Sequence, residues 1–233
     1  MKSIVLYGPS DWSRSDLQLP SQTLAVVIDV LRATSTLVTA LAGGVREIYP
    51  LQALSAALSH QQTSPRVKLA GEQGGRKIEG FDFGNSPLEF ISTDRLDFDL
   101  AMLTTNGTRA FAATHSAEQV IAASFLNHDT VVEKVLHWPG SVVYFCAGTG
   151  DDFSLEDAIV AGSFLEKTEP NHPLAALYRF TRRDLTHVFQ QTKNGANLVK
   201  IGMASDIDFC LQLNRYPILP MYDPQTGIVR LHC

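Results

Sequence analysis

The run Leu24-Ala25-Val26-Val27-Ile28-Asp29-Val30 decides the fold. It is continuously apolar and rich in β-branched residues, follows Pro20 and Ser21, and is interrupted only by Asp29 near its C-terminal end. An apolar run of strand length without polar alternation reads as a strand buried on both faces, the kind found in parallel sheets covered by helices. Directly after it, residues 33–41 have helical apolar spacing and stop at Gly43-Gly44. Working outward, short apolar runs recur at 66–70, 100–103, 119–122 and 142–146, while 130–137 and 155–166 have helical character and stop before Pro139 and Pro170. Strands alternating with helices over this length imply an α/β protein, a layered α/β/α arrangement with a mixed, largely parallel sheet. No fixed-period repeat, low-complexity tract or long linker appears, so residues 1–233 are expected to form one α/β domain, with a C-terminal subregion from about 168, where the composition shifts. Within it, 171–191 carries most of the remaining helix signal. Ile218-Leu219-Pro220-Met221 and Gly227-Ile228-Val229-Arg230-Leu231 read as a closing hairpin around the turn Asp223-Pro224-Gln225-Thr226.

The composition is that of an ordinary globular protein, with 45% hydrophobic and 18% charged residues in a chain of 233. Its formal net charge of −5 removes the general attraction that nucleic-acid and anionic-membrane binders need, although a local basic pocket stays open. Cys146, Cys210 and Cys233 are odd in number, far apart and without CxxC spacing, which argues against a disulfide framework or thiolate cluster and for a reducing, cytoplasmic setting. The N-terminal apolar stretch is too short for a signal segment, and no run of membrane-spanning length occurs.

Four polar clusters fall where strands end, which is where open α/β sheets bind ligands. The first, Asp29-Val30-Leu31-Arg32-Ala33-Thr34-Ser35-Thr36, places a carboxylate, an arginine and three hydroxyls at a helix start, suited to an anion or equally to helix capping. The second, from Gly71-Glu72 to Asn85-Ser86-Pro87, carries five glycines and the point charge of Lys77; Arg76 and Glu79 read better as exposed loop, whereas Glu72 directly follows a strand. The third, Thr104-Thr105-Asn106-Gly107-Thr108-Arg109, offers hydroxyl, side-chain amide and backbone donors suited to phosphate oxygens. In the fourth, Cys146 to Asp157, Ser154 and Asp157 fit a capping box, and the carboxylates at 151, 152, 156 and 157 suit a hard cation such as Mg²⁺. Acids beside anion-binding donors would repel a phosphorylated ligand unless a cation lay between them, so metal-assisted phosphoryl chemistry is the simplest account.

Several well-marked mechanisms lack their signatures. There is no HExxH among the seven histidines, no GxGxxG after the first strand, no Walker P-loop and no GxSxG elbow. Neither Cys146 nor Cys210 has an arginine six residues on, and Cys146 reads as a buried strand-end residue. Asp97/Asp99 and Asp206/Asp208 do not end a clear apolar strand, so an aspartyl-phosphate route has no support.

The strings IDVLRATST (28–36), GEQGGRKIEGFDFGNSP (71–87), TTNGTRA (104–110) and CAGTGDDFSLEDAIVAG (146–162), in that order, closely resemble the 2-phosphosulfolactate phosphatase family. The tail with Gly202 and Asp206-Ile207 is similar but much less specific. The resemblance implies a Mg²⁺-dependent phosphomonoesterase that converts 2-phosphosulfolactate to sulfolactate and phosphate, a step associated with coenzyme M synthesis, on an α/β fold particular to that family. On this reading Asp29, Arg32 and Glu72 are catalytic, and Mg²⁺ is held by Asp29 and Glu72 with Glu156 or Asp157. Substrate contacts are expected from Arg32, Thr34, Ser35, Lys77, Asn85, Ser86, Thr105, Asn106, Gly107, Thr108 and Arg109. The expected partner is a small anionic phosphorylated substrate, with no nucleic acid and no membrane; a homo-oligomer is compatible. A Mg²⁺-dependent phosphatase for another small phosphorylated acid and a non-catalytic binder of a phosphorylated metabolite are the competing readings. A purely structural role leaves the four strand ends unexplained.

Overall fold

Strand β2 (Thr23–Ile28) is buried along its whole length, as a run without polar alternation requires. Its side chains divide between two cores. Leu24, Val26 and Ile28 pack with Tyr144, Ile159 and Phe164, whereas Ala25 and Val27 pack with Leu37, Met102 and Phe111 on the other side. This is a computed structural model of the chain, and it describes residues 3–14, 17–91 and 96–231. Cys233 and His232 lie outside them.

The remaining strands are β1 (Ser3–Leu6), β3 (Ile48–Leu51), β4 (Val67–Gln73), β5 (Arg76–Lys77), β6 (Asp99–Leu103), β7 (Gln119–Ala123), β8 (Ser141–Cys146), β9 (Pro220–Asp223) and β10 (Ile228–Leu231). They form one ten-stranded sheet in the order β1-β8-β2-β7-β9-β10-β3-β6-β4-β5. The helices are α1 (Pro9–Trp12), α2 (Ala33–Ala42), α3 (Leu54–Thr63), α4 (Gly107–Ala113), α5 (His128–Leu136), α6 (Leu155–Thr168), α7 (Pro173–Thr181), α8 (Leu185–Gln191), α9 (Lys193–Lys200) and α10 (Ala204–Cys210). They cover both faces of the sheet, so the protein is a layered α/β structure with a mixed, mostly parallel sheet.

Two parallel blocks make up the sheet: β1, β8, β2 and β7 in one, and β3, β6 and β4 in the other. The β9–β10 hairpin lies between them, antiparallel to β7 on one side and to β3 on the other. Residues 218–231 therefore do form a hairpin, but it occupies the middle of the sheet instead of closing an edge. Met102 of β6 and Val27 of β2 belong to one core with Leu37 and Phe111, so a single apolar layer under α2 and α4 spans both blocks.

Three strands carry too little apolar sequence to stand out. β1 is four residues long and half-exposed, β3 contains Pro50, and β5 is two exposed residues. Helices α3 and α9 escape notice for a related reason: each buries only one or two residues, so its apolar stripe is thin, whereas α10 is only seven residues long.

Candidate active site

The C-terminal ends of β2, β4, β6 and β8 open onto one cavity of about 270 Å³. Each polar cluster contributes to its wall: Asp29, Leu31 and Arg32 from the first, Glu72, Gly74, Gly75 and Asn85 from the second, Thr104, Thr105 and Asn106 from the third, and Gly148, Thr149 and Gly150 from the fourth. Asn194, Asn197 and Leu198 of α9 complete it, and sequence reasoning missed them. The available signal was the i, i+3 spacing of the two asparagines, which puts both on one face of a helix.

Asp29 sits where β2 hands over to α2. Its Oδ1 accepts the Ala33 amide at 3.2 Å and its carbonyl accepts the Thr34 amide at 2.9 Å, so the helix start is fastened to the carboxylate. Burial pushes Asp29 up to about 7, and the nearby Glu72 and Glu156 carboxylates add to the rise while the Ala33 amide and Arg32 oppose it. The start of α4 comes equally close. A methyl at Gly107 would lie 2.8 Å from Asp29 Oδ2 and 2.6 Å from Ala33 Cβ, both inside contact distance. Gly107→Ala is therefore expected to displace the carboxylate and cost about 100-fold in turnover, with an unchanged far-UV spectrum as the check that the fold survives.

Glu72 is held from two directions. Its Oε1 accepts the Thr105 hydroxyl at 2.7 Å and the Thr105 amide at 3.1 Å, and its Oε2 accepts the Gly75 amide at 2.8 Å. Gly74 and Gly75, at φ +63° and +85°, make the two-residue turn between β4 and β5, a conformation that side chains resist. The turn reaches across the cavity to α9, where Asn197 Nδ2 donates to the Gly74 carbonyl at 3.1 Å.

Arg32 is buried at the wall. Its Nη1 donates to Asp206 Oδ2 at 2.5 Å and to the Met203 sulfur at 3.1 Å, and its Nη2 donates to the Gly75 carbonyl at 2.6 Å. These bonds use three of its five N–H donors, leaving two for a ligand in the cavity that it lines. Two further wall groups lack partners: the buried Oδ1 atoms of Asn85 and Asn106 accept no hydrogen bond. Asn106 Nδ2 meanwhile donates to the carbonyls of Ala147 and Gly150.

Several expected ligand contacts point elsewhere. The hydroxyls of Thr34 and Ser35 are fully buried and donate at 2.9 Å to the carbonyls of Asp29 and Val30, fastening helix to strand without lining the cavity. Thr108 does the same one helix over, donating to the Thr104 carbonyl at 2.9 Å. Ser86 donates to Asp206 Oδ1 at 2.7 Å. Lys77 is exposed on β5, its Nζ 3.5 Å from the Asp82 carbonyl, and is not part of the cavity wall. Arg109 pairs with exposed Asp151 at 3.1 Å, lies over the Trp12 ring, and lines a neighbouring groove of about 430 Å³ in which Glu72 also takes part.

The four acids expected at a metal are placed differently from one another. Among the described residues, no three His, Cys, Asp or Glu side chains are placed together to hold a metal. Asp157 is withdrawn from the cavity because its two oxygens accept the buried amides of Val30 at 2.9 Å and Gly148 at 3.3 Å. Its own amide donates to Ser154, so Ser154 caps α6, but the carboxylate does not return to complete a capping box. Glu156 is also buried and accepts Asn194 Nδ2 at 2.9 Å. Burial pushes both acids up, and for Asp157 the charges of Asp29 and Glu156 reinforce it. What remains at the wall is Asp29, Glu72 and the two orphan amide oxygens. That oxygen-only set fits Mg²⁺, which commonly takes one or two carboxylates and completes its shell with water and substrate.

Cys146 is buried at the end of β8, and burial with the nearby Asp157 raises its thiol well above the usual range, so it is no nucleophile. Among the described residues no helix is long and apolar enough to cross a membrane.

Carboxylates and a buried arginine gathered at strand ends around one polar cavity stand where α/β enzymes bind their small-molecule substrates. Comparison with known proteins narrows the class. The sequence profile described as 2-phosphosulpholactate phosphatase matches residues 12–225, and the chain belongs to that family. It is 38% identical over 211 residues to a probable 2-phosphosulfolactate phosphatase of Symbiobacterium thermophilum, covering 85% of this chain and 91% of the relative. Probable 2-phosphosulfolactate phosphatases of Caldicellulosiruptor saccharolyticus (36% identity; 81% and 84% covered) and Thermotoga maritima (35%; 84% and 87%) match similarly.

Proposed function

We propose that this protein is a Mg²⁺-dependent phosphomonoesterase that hydrolyses 2-phosphosulfolactate to sulfolactate and phosphate, the reaction associated with coenzyme M synthesis. Family membership supports the substrate, and the charge of the cavity carries the mechanism. Asp29 and Glu72 stand on the wall against a single arginine whose charge is already paired with Asp206. A molecule bearing phosphate, sulfonate and carboxylate meets net repulsion there unless a cation is present. Asp29 and Glu72, with Asn85 and Asn106 Oδ1 as further oxygen donors, would hold Mg²⁺, which when bound would supply Lewis-acid polarisation and lower the pKa of water.

The protein's own part is positioning. Thr105 and the Gly75 amide hold Glu72, the head of α2 holds Asp29, and the two free N–H donors of Arg32 stabilise charge developing on the phosphoryl oxygens. Free thiols at buried Cys146 and Cys210 suit the reducing cytoplasm that we assign to it.

Phosphate release from 2-phosphosulfolactate tests the reading directly: EDTA should abolish it and added Mg²⁺ restore it. Undiminished turnover in EDTA would overturn the metal role, and turnover only with a different phosphorylated acid would overturn the substrate. The pH profile has a defined sign. Asp29, held at about 7, must lose its proton to take a cation. At limiting Mg²⁺, activity should fall as pH drops through about 7, and higher Mg²⁺ should move that acid limb to lower pH. An acid limb that ignores Mg²⁺ concentration would contradict this account.

A further inference from the structure

We propose that Asp206 is the positioning residue for Arg32, setting the guanidinium toward the phosphoryl group from outside the cavity. The inference rests on the reading of Arg32 as a phosphoryl contact. Asp206 lies on α10, 174 residues along the chain from Arg32, and does not line the cavity. Both side chains are only 2% exposed and meet at 2.5 Å. The other carboxylate oxygen accepts the Ser86 hydroxyl at 2.7 Å, so each oxygen of Asp206 has its own partner and the carboxylate cannot swing. Ser86 is itself anchored: its neighbour Asn85 accepts the Thr36 hydroxyl through its carbonyl at 2.8 Å, tying this loop to the helix that begins beside Arg32.

A buried ion pair adds little stability over apolar groups of the same volume, so stability does not account for its presence here. Geometry does. An arginine side chain has many rotamers, and its planar fork is useful to a phosphate only when its plane is fixed. Asp206, the Met203 sulfur and the Gly75 carbonyl fix three N–H vectors, and the two left over are thereby aimed. Asp206 never touches the reacting atoms. Its contribution is made through Arg32 alone, and a coupling measurement isolates that.

The experiment is a double-mutant cycle on kcat and KM for phosphate release from 2-phosphosulfolactate, using Arg32→Ala, Asp206→Asn and the double variant, with Tm recorded for each. Asp206→Asn should lower kcat about 100-fold with KM unchanged or lower, and should cost nothing further in the Arg32→Ala background. Losses that multiply in the double variant, or Asp206→Asn with wild-type kcat while Arg32→Ala is inactive, overturn the positioning role and leave the proposed function standing. Full activity in Arg32→Ala instead overturns the reading of Arg32, and this inference falls with it. If Asp206→Asn does not fold, Ser86→Ala decides: kcat reduced when Arg32 is intact and unaffected in the Arg32→Ala background supports the role, and equal losses in both backgrounds refute it.

Discussion

Asp29→Asn should abolish turnover, by on the order of 10³-fold or more, while leaving the protein folded and somewhat more resistant to heat. Both halves of that outcome follow from one environment. The carboxylate lies at the cavity wall with Glu72, where the proposed cation would bind, and Asn offers no charge for it. Asn Oδ1 can still accept the Ala33 amide, so the start of α2 is kept. The stability change has a definite sign. Asp29 titrates at about 7 in the folded protein against 3.8 in its ordinary state. Between those values the native state holds the extra proton, so stability falls as pH rises across that window and stays reduced above it. Asn removes the penalty, and at pH 8 a gain of about 2–4 °C in Tm per kcal/mol relieved is expected. Retained phosphatase activity, or a Tm below wild type at that pH, would contradict the placement of this carboxylate.

Asp157→Ala should do the opposite, lowering stability by about 2–4 kcal/mol while leaving the proposed Mg²⁺ dependence of the folded protein unchanged. Its carboxylate satisfies two buried amides, Val30 just after β2 and Gly148 just after β8, and alanine leaves both without partners. Since its pKa is raised well above the carboxylate range, removing it relieves little charge repulsion to compensate. Calorimetry at pH 7 and a Mg²⁺ titration below the melting range test this together. A weakened response to Mg²⁺ with normal stability would return Asp157 to the metal site.

Those two acids show where sequence reading succeeds and where it stops. Asp29 interrupts an apolar strand, so its position at a strand end is visible in the string, and all four strand-end clusters do meet at one cavity. Asp157 is equally visible as an acid, but whether its oxygens face a cavity or buried amides depends on how β2 and β8 pair. The hydroxyls of Thr34 and Ser35 mislead for the same reason. Local composition marks them as donors, and the carbonyls that use those donors are five residues back across the strand-to-helix bend. Lys77 is a cation in the right segment that lies exposed on β5, and Arg109 lines the neighbouring groove while paired with Asp151. The contributions of α9 and Asp206 were the least legible, because they act only after distant elements have packed. In the fold, the β-branched strands were plain, whereas β1, β3 and β5 are short, exposed or contain proline, and so carry little apolar signal.

The central β9–β10 hairpin imposes an order of events on synthesis. Until residues 220–231 have left the ribosome, the parallel block carrying Asp29 has no ladder to the block carrying Glu72, since among the described residues β7 and β3 are joined only through this hairpin. The first block already joins distant segments, Ser3 to Val142 and Thr23 to Ser141, and the hairpin adds Val229 to Ile48, so the sheet is completed late by pairings of high sequence separation. A nascent chain therefore holds the Asp29 and Glu72 strands without the ladder that joins them, and catalytic competence should arrive only as the hairpin inserts.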